Sequence, residues 1–228
     1  MNRAISIIVP ILNERLTIES LQEQLLPSTR CAEIILVDGG STDGTLDLID
    51  PTFSLVRSDR GRSRQMNAGA SIARGETLFF LHGDSILPPH PLEAINEVMR
   101  DHRAGCFGVR FDDPRLLMRI NGYMSNRRVR TSGIMFGDQG IFIERNLFIK
   151  VGMFRDLPIM EDYQLSLDLR TLGEKVGMTK EPITTSTRRY PRSPIGTLRL
   201  MAHMHRLRRM YREGVDPYEL AKLYKDVR

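Results

Sequence analysis

Residues 77–85 read TLFFLHGDS, in which five apolar or β-branched residues lead into a polar end. Gly75 precedes this run and a Pro-Pro pair follows it, and a short run with such boundaries is typical of a buried strand. In open α/β sheets, ligands bind outside the carboxyl ends of the strands, and Gly83 allows a bulky anion to approach the backbone. We therefore predict that Asp84 holds a divalent metal ion, which in turn binds a diphosphate. In the alternative interpretation, Asp84 only caps the turn that enters the prolines.

Predicted strands and helices alternate through the first half of the chain. The strands cover residues 5–10, 33–38, 54–58 and 77–81. The helices follow Asn13, which is predicted to cap the first of them, then the loop 39–44, the arginine-rich turn at 60–64, and Pro91. This alternation indicates an α/β fold with a mostly parallel, Rossmann-like sheet and flanking helices. After residue 105 the pattern becomes mixed α+β, with helices over 115–127 and 163–172 and a strand after the polar turn 137–140.

The composition is that of one folded domain with appendages. The chain has 228 residues, of which 41% are hydrophobic and 27% are charged, and this excludes a disordered chain. No run approaches the roughly 20 apolar residues that a membrane span requires. The first residues lead directly into a strand pattern rather than a signal peptide. We therefore expect a cytoplasmic protein, with the inner face of the membrane as a second location.

Positive charge is concentrated in the last part of the sequence. The segment from Arg188 to Arg228 holds 11 Lys or Arg against 4 Asp or Glu, while the net charge of the whole chain is +5. Two basic helices with an apolar stripe are predicted there, over 195–212 and 217–227. Such helices can dock on their own domain, contact an anionic membrane surface or form a homodimer. Binding of nucleic acid would explain the charge, but it would not explain the acids at the strand ends.

Motifs at the strand ends resemble those of family 2 glycosyltransferases, enzymes of the GT-A fold that transfer a sugar from a nucleotide diphosphate donor. The motifs are IVPILNE (8–14), VDGGSTDGT (37–45), the arginine and asparagine helix (62–69) and HGD (82–84), the last in the place of the family's Asp-X-Asp motif. Glu161 and Asp162 match the pair that supplies the family's catalytic base. The resemblance covers about residues 4–192. Residues 61–70, 82–84 and 137–140 resemble more closely a small bacterial subgroup linked to arsenosugar biosynthesis.

The resemblance implies a role for each matching residue. Asp84 would bind Mn²⁺ or Mg²⁺, Asp162 would be the catalytic base, and Asp38 would accept a hydrogen bond from a uracil N–H. The implied nucleotide-binding residues are Pro10, Asn13, Glu14, Asp38, Gly39, Arg62, Arg64, Asn67, His82 and Gly83. The chemistry supports these roles independently, because a divalent ion offsets the charge of a departing diphosphate. A carboxylate on the opposite face can take the proton of an acceptor hydroxyl, so inversion at the anomeric carbon is expected.

The sequence departs from the family pattern at two places. His82 replaces the first acid of the metal motif, and it would be a nitrogen ligand, a ribose contact or a histidine satisfied at the strand end. The family's Gln/Arg-X-X-Arg-Trp motif is absent, and residues 187–190 are its nearest analogue, in which Tyr190 would give an aromatic platform. The residues predicted for acceptor or phosphate contacts are Asp138, Gln139, Glu161, Arg188, Arg189 and Tyr190. Asp138 is equally plausible as a turn former, and Glu161 as a support or cap.

These observations predict a metal-dependent inverting glycosyltransferase of the hexosyltransferase type. Its partners would be a nucleotide-sugar donor, UDP-linked, and a small-molecule or lipid-linked acceptor, without nucleic acid. The predicted domain covers 1–192, with a nucleotide-binding half (1–104) and an acceptor half (105–192), followed by a helical extension (193–228). Two alternatives remain open. A sugar-1-phosphate nucleotidyltransferase usually has a Gly-rich, Arg-containing loop where this chain has PILNE (10–14), and a non-catalytic nucleotide-sugar binding module would explain the missing metal acid.

Overall fold

A sheet of eight strands forms the centre of the fold in the computed structural model, which describes residues 4–188 and 190–225. In chain order the strands are β1 (Ile5–Ile11), β2 (Ala32–Asp38), β3 (Ser54–Arg57), β4 (Thr77–Phe80), β5 (Ser85–Ile86), β6 (Ala104–Phe111), β7 (Ile141–Glu144) and β8 (Val176–Thr185). The helices are α1 (Ile18–Leu25), α2 (Arg62–Ile72), α3 (Pro91–Val98), α4 (Leu116–Ser132), α5 (Arg145–Lys150), α6 (Glu161–Thr171), α7 (Pro194–Arg212) and α8 (Pro217–Lys225). The strand order across the sheet is β3-β2-β1-β4-β7-β6-β8-β5.

Strands β1 to β4 are parallel, which confirms the α/β prediction. β1 pairs with β2 and β4, and β2 pairs with β3, so their carboxyl ends meet at one edge of the sheet. β4 ends at Phe80, opposite Ile8, while β1 continues to Ile11. Pro10, where the sequence predicted the end of the strand, therefore lies inside β1. It is tolerated because β4 has already ended there, and no strand on that side needs the N–H that proline lacks.

The strands of the second half are mixed in direction. β7 lies antiparallel to β4 and β6, and β8 runs parallel to β6 with a bulge near Gly108. The sequence predicted this mixed character, but it did not predict β8 or α5. β8 was missed because Gly177 and Pro182 interrupt its pattern, and both residues usually count against a strand. In the structure Pro182 lies beside the bulge, where the ladder is already irregular.

Helices pack on both faces of the sheet, and alternate residues of β1 divide the core between them. Ile8 packs on one face together with Met66 of α2, and Ile7 packs on the other together with Leu21 of α1. Helix α2 approaches β1 closely at Gly69, where an added Cβ would lie 2.5 Å from the Ile8 Cγ2 atom. The central sheet is therefore buried on both sides, as the continuous apolar runs of its strands indicate.

The C-terminal helices α7 and α8 dock on the domain through a third apolar cluster, which comprises Ile134, Met160, Tyr163, Leu207 and Leu220. Docking on the domain was one of the three roles predicted for these helices. The predicted domain boundary after residue 192 stays a prediction. No helix within residues 4–188 and 190–225 combines the length and the apolar character that a membrane crossing needs.

Several predicted helix limits were wrong. The first helix begins at Ile18 rather than after Asn13, because Asn13 adopts a positive φ of 55° and serves the neighbouring loop instead of capping. Helix α4 extends five residues beyond the predicted end at 127, up to the left-handed Gly133. Helix α6 begins at Glu161, two residues earlier than predicted, after a left-handed Met160.

Candidate functional site

A cavity of about 1570 Å³ opens at the carboxyl ends of β1 and β4. The first half of the chain contributes Pro10, Glu14, Arg62, His82, Gly83 and Asp84 to its lining. The second half contributes Asp138, Glu161, Asp162, Arg188 and Tyr190, and α7 and α8 form part of its wall. The cavity therefore brings together eleven of the residues that the sequence singles out for the site.

The loop after β2 shapes the predicted nucleotide side of the cavity. Side chains from the end of β2 and from the segment after β1 hold this loop in place. The Asp38 carboxylate accepts hydrogen bonds from the backbone N–H groups of Gly40 and Ser41, at 3.1 and 3.0 Å. The Asn13 side chain accepts one from the Thr42 N–H at 2.9 Å, and the Glu14 N–H donates to the Thr45 hydroxyl at 2.8 Å. Asp38 is buried and does not line the cavity, so its direct contact with a base stays a prediction.

Gln65 is a buried polar residue of this region that the sequence analysis missed. Its Nε2 atom donates to the carbonyl oxygens of Ile11 and Val37, both at 2.8 Å, and so joins the ends of β1 and β2. Gly39 leaves room for this side chain, because an added Cβ would lie 2.8 Å from the Gln65 Cδ atom. The available signal was the helical spacing from Gln65 to Gly69, which puts a neutral polar side chain on the buried face of α2.

Two arginines at the start of α2, Arg62 and Arg64, are paired with acids. Arg62 lines the cavity and lies 3.3 Å from Glu161. The Arg64 guanidinium forms a bidentate ion pair with the Asp156 carboxylate, and its two shortest hydrogen bonds are 2.9 Å long. Arg64 does not line the cavity, so the structure does not bring its side chain to the predicted nucleotide site.

Asn67 also has a structural partner outside the cavity. Its side-chain amide donates to the Phe154 carbonyl oxygen at 2.7 Å and accepts from the Phe154 N–H at 3.1 Å. These two hydrogen bonds to the Phe154 backbone fix α2 against the segment that precedes α6. The structure therefore places Asn67 in a packing contact, not among the residues that line the predicted nucleotide site.

The segment that follows β4 reaches both halves of the cavity. The His82 ring packs against Gly137, since an added Cβ there would lie 2.6 Å from its Cε1 atom. Asp84 lies 3.8 Å from Arg188, and its side chain is 31% exposed. Asp84 is therefore accessible from the cavity, beside one of the two arginines predicted to contact phosphate. The other, Arg189, lies outside the described residues.

The acidic side chains suit a metal ion that arrives together with a diphosphate. Among residues 4–188 and 190–225, no group of three or more His, Cys, Asp or Glu could hold a metal ion by itself. Mg²⁺ in nucleotide enzymes is usually held by one or two carboxylates, with substrate phosphates and water as the other ligands. The single carboxylate of Asp84 on the cavity wall fits this kind of site, and it does not fit a cage made only of protein ligands.

The predicted catalytic base lies at the N-terminus of α6, where the backbone changes direction sharply. Met160 has a positive φ of 71°, a conformation that residues other than glycine rarely adopt and that often marks functional sites. The Asp162 carboxylate accepts hydrogen bonds from the N–H groups of Gly137 at 2.7 Å and of Tyr163 at 2.6 Å. Asp162 therefore has a fixed orientation on the cavity wall.

Glu161 differs from its neighbour because it is almost fully buried, at 3% exposure. Burial raises the pKa of Glu161, and the charge of Asp162 raises it further, while Arg62 opposes the shift. Two adjacent carboxyl groups thus have different environments. The roles of Glu161 as a support and of Asp162 as the catalytic base stay predictions.

The remaining predicted acceptor residues fall into two groups. Asp138 and Tyr190 line the cavity, and the Tyr190 ring packs edge-on against Phe111 at 5.5 Å. Burial and the charge of Asp138 raise the pKa of Tyr190. Gln139 is fully buried and accepts a hydrogen bond from Arg128 at 2.8 Å, so it is part of the turn before β7. The structure does not bring Gln139 to the cavity surface.

Comparison with known proteins points to one family. The profile of Glycosyl transferase family 2 matches residues 6–155. Glycosyltransferase GlyG of Streptococcus pneumoniae is 29% identical over 113 residues, which cover 46% of this chain and 38% of that protein. An uncharacterized glycosyltransferase of Nostoc is 36% identical over 76 residues, or 30% of this chain and 24% of that one. The chain thus matches less than two fifths of the length of these relatives.

Solved structures share the fold at low sequence identity. A mannosyltransferase from Pyrobaculum calidifontis, in complex with GDP-Man and Mn²⁺, matches with a TM-score of 0.65 at 18% identity. The match covers all of this chain and 70% of the mannosyltransferase chain. S. aureus TarS in complex with UDP-GlcNAc matches with a TM-score of 0.62 at 18% identity. The match covers 81% of this chain and 59% of the TarS chain. These similarities confirm the predicted GT-A fold.

We expect Glu161→Gln to remove a destabilising effect that grows with pH. Because the folded-state pKa of Glu161 is raised, the folded protein holds this proton more tightly than the unfolded chain does. Stability contributed by the protonated group is therefore lost as the pH rises from the unfolded pKa of about 4.3 through the folded one. In urea denaturation, the free energy of unfolding of Glu161→Gln relative to wild type should rise between about pH 4 and pH 7.

The exposed Glu19→Gln serves as the control for this measurement, with the same chemical change on α1. A relative stability of Glu161→Gln that stays constant or falls over this pH range would contradict the prediction.

Proposed function

Since the chain belongs to glycosyl transferase family 2, we propose that it transfers a sugar from a nucleotide diphosphate sugar to an acceptor hydroxyl, with inversion at the anomeric carbon. One observation carries the proposal. Asp84, which follows β4 in the first half, and Asp162, in the first turn of α6 in the second half, line the same cavity. A metal-binding acid and a base on separate walls are what displacement of a diphosphate by a hydroxyl requires.

The proposed donor is a UDP-sugar. Asp38 ends β2 and holds the loop 39–44. Each of its carboxylate oxygens accepts one hydrogen bond from a loop N–H and has a second lone pair that can accept another. A uracil N–H could bond to one of these oxygens after a small movement of the loop. The two structural neighbours bind different nucleotides, GDP-Man in one and UDP-GlcNAc in the other, so the fold accommodates both.

In the proposed site, Asp84 holds Mn²⁺ or Mg²⁺ together with the donor diphosphate. The ion, when bound, offsets the negative charge that develops on the leaving diphosphate. Arg188 lies 3.8 Å from Asp84, and its guanidinium can bind two phosphate oxygens in bidentate geometry. His82 packs against Gly137, a position that favours the roles of ribose contact or strand-end histidine over that of metal ligand.

Asp162 is proposed as the base that takes the proton of the acceptor hydroxyl. Its carboxylate is oriented by the Gly137 N–H, and each oxygen keeps a lone pair for a further hydrogen bond. Behind it, the ion pair of Arg62 with Glu161 fixes the first turn of α6. The base is therefore positioned before the acceptor binds.

The likeness to the arsenosugar-linked subgroup rests on three motifs. It is a hypothesis on ancestry and assigns no acceptor.

Two competing functions differ from sugar transfer in what they require of the site. A nucleotidyltransferase would not need a base such as Asp162. A non-catalytic binding module would bind the donor without turnover. The variants below distinguish these possibilities from sugar transfer.

We expect Asp84→Ala to lose the effect of metal on UDP binding. In calorimetric titration, wild-type protein should bind UDP at least about tenfold more tightly with Mn²⁺ than without, a difference of about 1.4 kcal/mol. In Asp84→Ala the two affinities should be equal, because the carboxylate that holds the ion is gone. Asp101→Ala, an exposed acid after α3, is the matched control and should behave as wild type. UDP binding without any metal effect in the wild-type protein would contradict the metal assignment.

Asp162→Asn should keep UDP binding within about twofold and lose turnover, since a positioned general base contributes about 10² to 10⁴ in rate. Hydrolysis of UDP-glucose, with water as the acceptor, gives a readout that needs no knowledge of the natural acceptor. Asp168→Asn, on the same helix but outside the cavity, is the control. Equal loss of binding and turnover in Asp162→Asn would show that the roles are wrongly assigned.

We also propose that α7 makes a peripheral contact with anionic lipid. Ile195 and Leu198 in its first turns are 65% and 52% exposed, and Arg199 follows them. Apolar side chains beside a basic one suit insertion at the headgroup level of a membrane. Co-sedimentation with phosphatidylglycerol vesicles should exceed that with phosphatidylcholine vesicles, and Ile195→Ser should reduce it. Co-sedimentation that does not depend on anionic lipid would refute this contact.

A further inference from the structure

The wall of the cavity that α4 and α7 form carries an excess of positive charge. Nine Arg or Lys side chains line the cavity against five Asp or Glu. Arg62 is paired with Glu161, and Arg188 lies beside Asp84, so each of these two arginines stands next to an acid. On the opposite side, α4 contributes Arg127 and Arg128, and α7 contributes Arg208 and Arg212. The proposed donor and base sites do not use these four arginines.

Two of these arginines face one aromatic ring. The guanidinium carbon of Arg128 lies 3.9 Å from the centroid of the Phe136 ring, and that of Arg208 lies 5.2 Å from it. Arg128 is held by neutral oxygens, since it donates to the Ile134 carbonyl at 3.2 Å and to the Gln139 side chain at 2.8 Å. Both guanidinium groups therefore contact the same ring, and the neutral oxygens that hold Arg128 do not neutralise its charge. We call Arg128, Phe136 and Arg208 the arginine clamp.

The charges of the clamp are costly in the absence of a ligand. Burial lowers the pKa of Arg128 to about 10, and the charge of Arg208 acts in the same direction, although Asp138 opposes it. Burial also lowers the pKa of Arg208. The pKa of His205, beside the clamp on α7, is lowered by burial and then by the charges of neighbouring arginines. An anion bound at the clamp would relieve this repulsion.

The clamp lies next to the proposed base. Phe136 precedes Gly137, whose N–H donates to the Asp162 carboxylate at 2.7 Å. The Phe136 ring also stacks on Tyr163, the residue after Asp162, with 6.2 Å between the ring centroids. A molecule held at the clamp by one end could therefore present a hydroxyl to Asp162. Leu200, Met201 and Met204 of α7 line the same cavity and offer an apolar surface to the rest of such a molecule.

We propose that Arg128 and Arg208 bind a phosphate group of the acceptor. This inference rests on the proposed function, because it assigns the acceptor class of the same site: a phosphate ester that has an apolar part and a free hydroxyl. Guanidinium groups suit this ligand, since their planar array of N–H donors matches phosphate oxygens. Phe136 keeps both groups in place, and the donor's diphosphate binds separately, at Asp84 and Arg188.

The test uses phenyl phosphate, which combines a phosphate ester with an apolar ring. The 228-residue chain is first saturated with UDP and Mn²⁺, so that the proposed donor site is filled, and phenyl phosphate is then titrated by calorimetry. Wild-type protein should bind it, and Arg208→Met should bind it about tenfold more weakly, because the substitution keeps the apolar stem and removes the charge. Arg208→Lys, which keeps a charge but not the planar donor array, should lie between the two.

Arg206→Met is the matched control, since it makes the same change on the same helix at an exposed residue outside the cavity. It should bind phenyl phosphate as wild type does, and phenol, which lacks the phosphate, should bind far more weakly than phenyl phosphate. UDP titration of Arg208→Met reports on its folding and should match wild type. Equal affinities of Arg208→Met and Arg206→Met, or no binding to wild type, would overturn the proposal.

A parallel loss of UDP and phenyl phosphate binding in Arg208→Met, with an unchanged melting temperature, would overturn the proposal in another way, by assigning the clamp to the donor's diphosphate. Titration of phenyl phosphate without UDP and Mn²⁺ separates the two hypotheses. If wild-type protein binds phenyl phosphate through Arg208 but does not bind UDP, the proposed donor site fails while the phosphate site remains.

Discussion

The hydrogen bond from the Gly137 N–H to the Asp162 carboxylate is the contact on which the arrangement of the cavity depends. It joins the turn before β7 to the first turn of α6, and the His82 ring, which follows β4, packs against the same glycine. A Cβ at Gly137 would lie 2.6 Å from this ring and 3.4 Å from the Asp162 Oδ2 atom. Three segments distant in sequence can therefore meet only because residue 137 has no side chain.

Charge is divided between the two sides of the cavity. On the side of β1 and β4, cations and acids stand near each other, as Arg62 with Glu161 and Arg188 with Asp84. On the side of α4 and α7, Arg128 and Arg208 both contact the Phe136 ring, and Arg128 donates to the neutral side chain of Gln139. The basic tail that is visible in the sequence thus has two parts, because Arg208 and Arg212 face the cavity while Arg206 and Arg209 are exposed.

The sequence predicted the first half of the fold well because its strands are continuous apolar runs separated by clear turns. It predicted Asp84 and Asp162 on the cavity because both follow or precede regular elements at motif positions. It did not predict β8, whose Gly177 and Pro182 conceal a strand that pairing with β6 and β5 stabilises. The strand is an example of tertiary contacts overriding local propensity.

Contacts between distant residues explain the other differences. Arg64 and Asn67 belong to a motif, but their partners lie about 90 residues away, at Asp156 and Phe154, and local pattern does not reveal such pairs. The clamp is a further case, because 80 residues separate Arg128 from Arg208. Each arginine alone is an ordinary member of a basic helix. Only the fold brings them to one ring.

The docking of α7 and α8 has a consequence for how proteins of this fold can diverge. These helices meet the rest of the domain through one small apolar cluster around Leu207 and Leu220, apart from the main core on either face of the sheet. Substitutions along the cavity face of α7 can accumulate without disturbing the strands that form the opposite side of the cavity. One side of the cavity can thus vary while the other side is kept, so a single scaffold can give rise to related proteins whose cavities differ mainly on the side of α7.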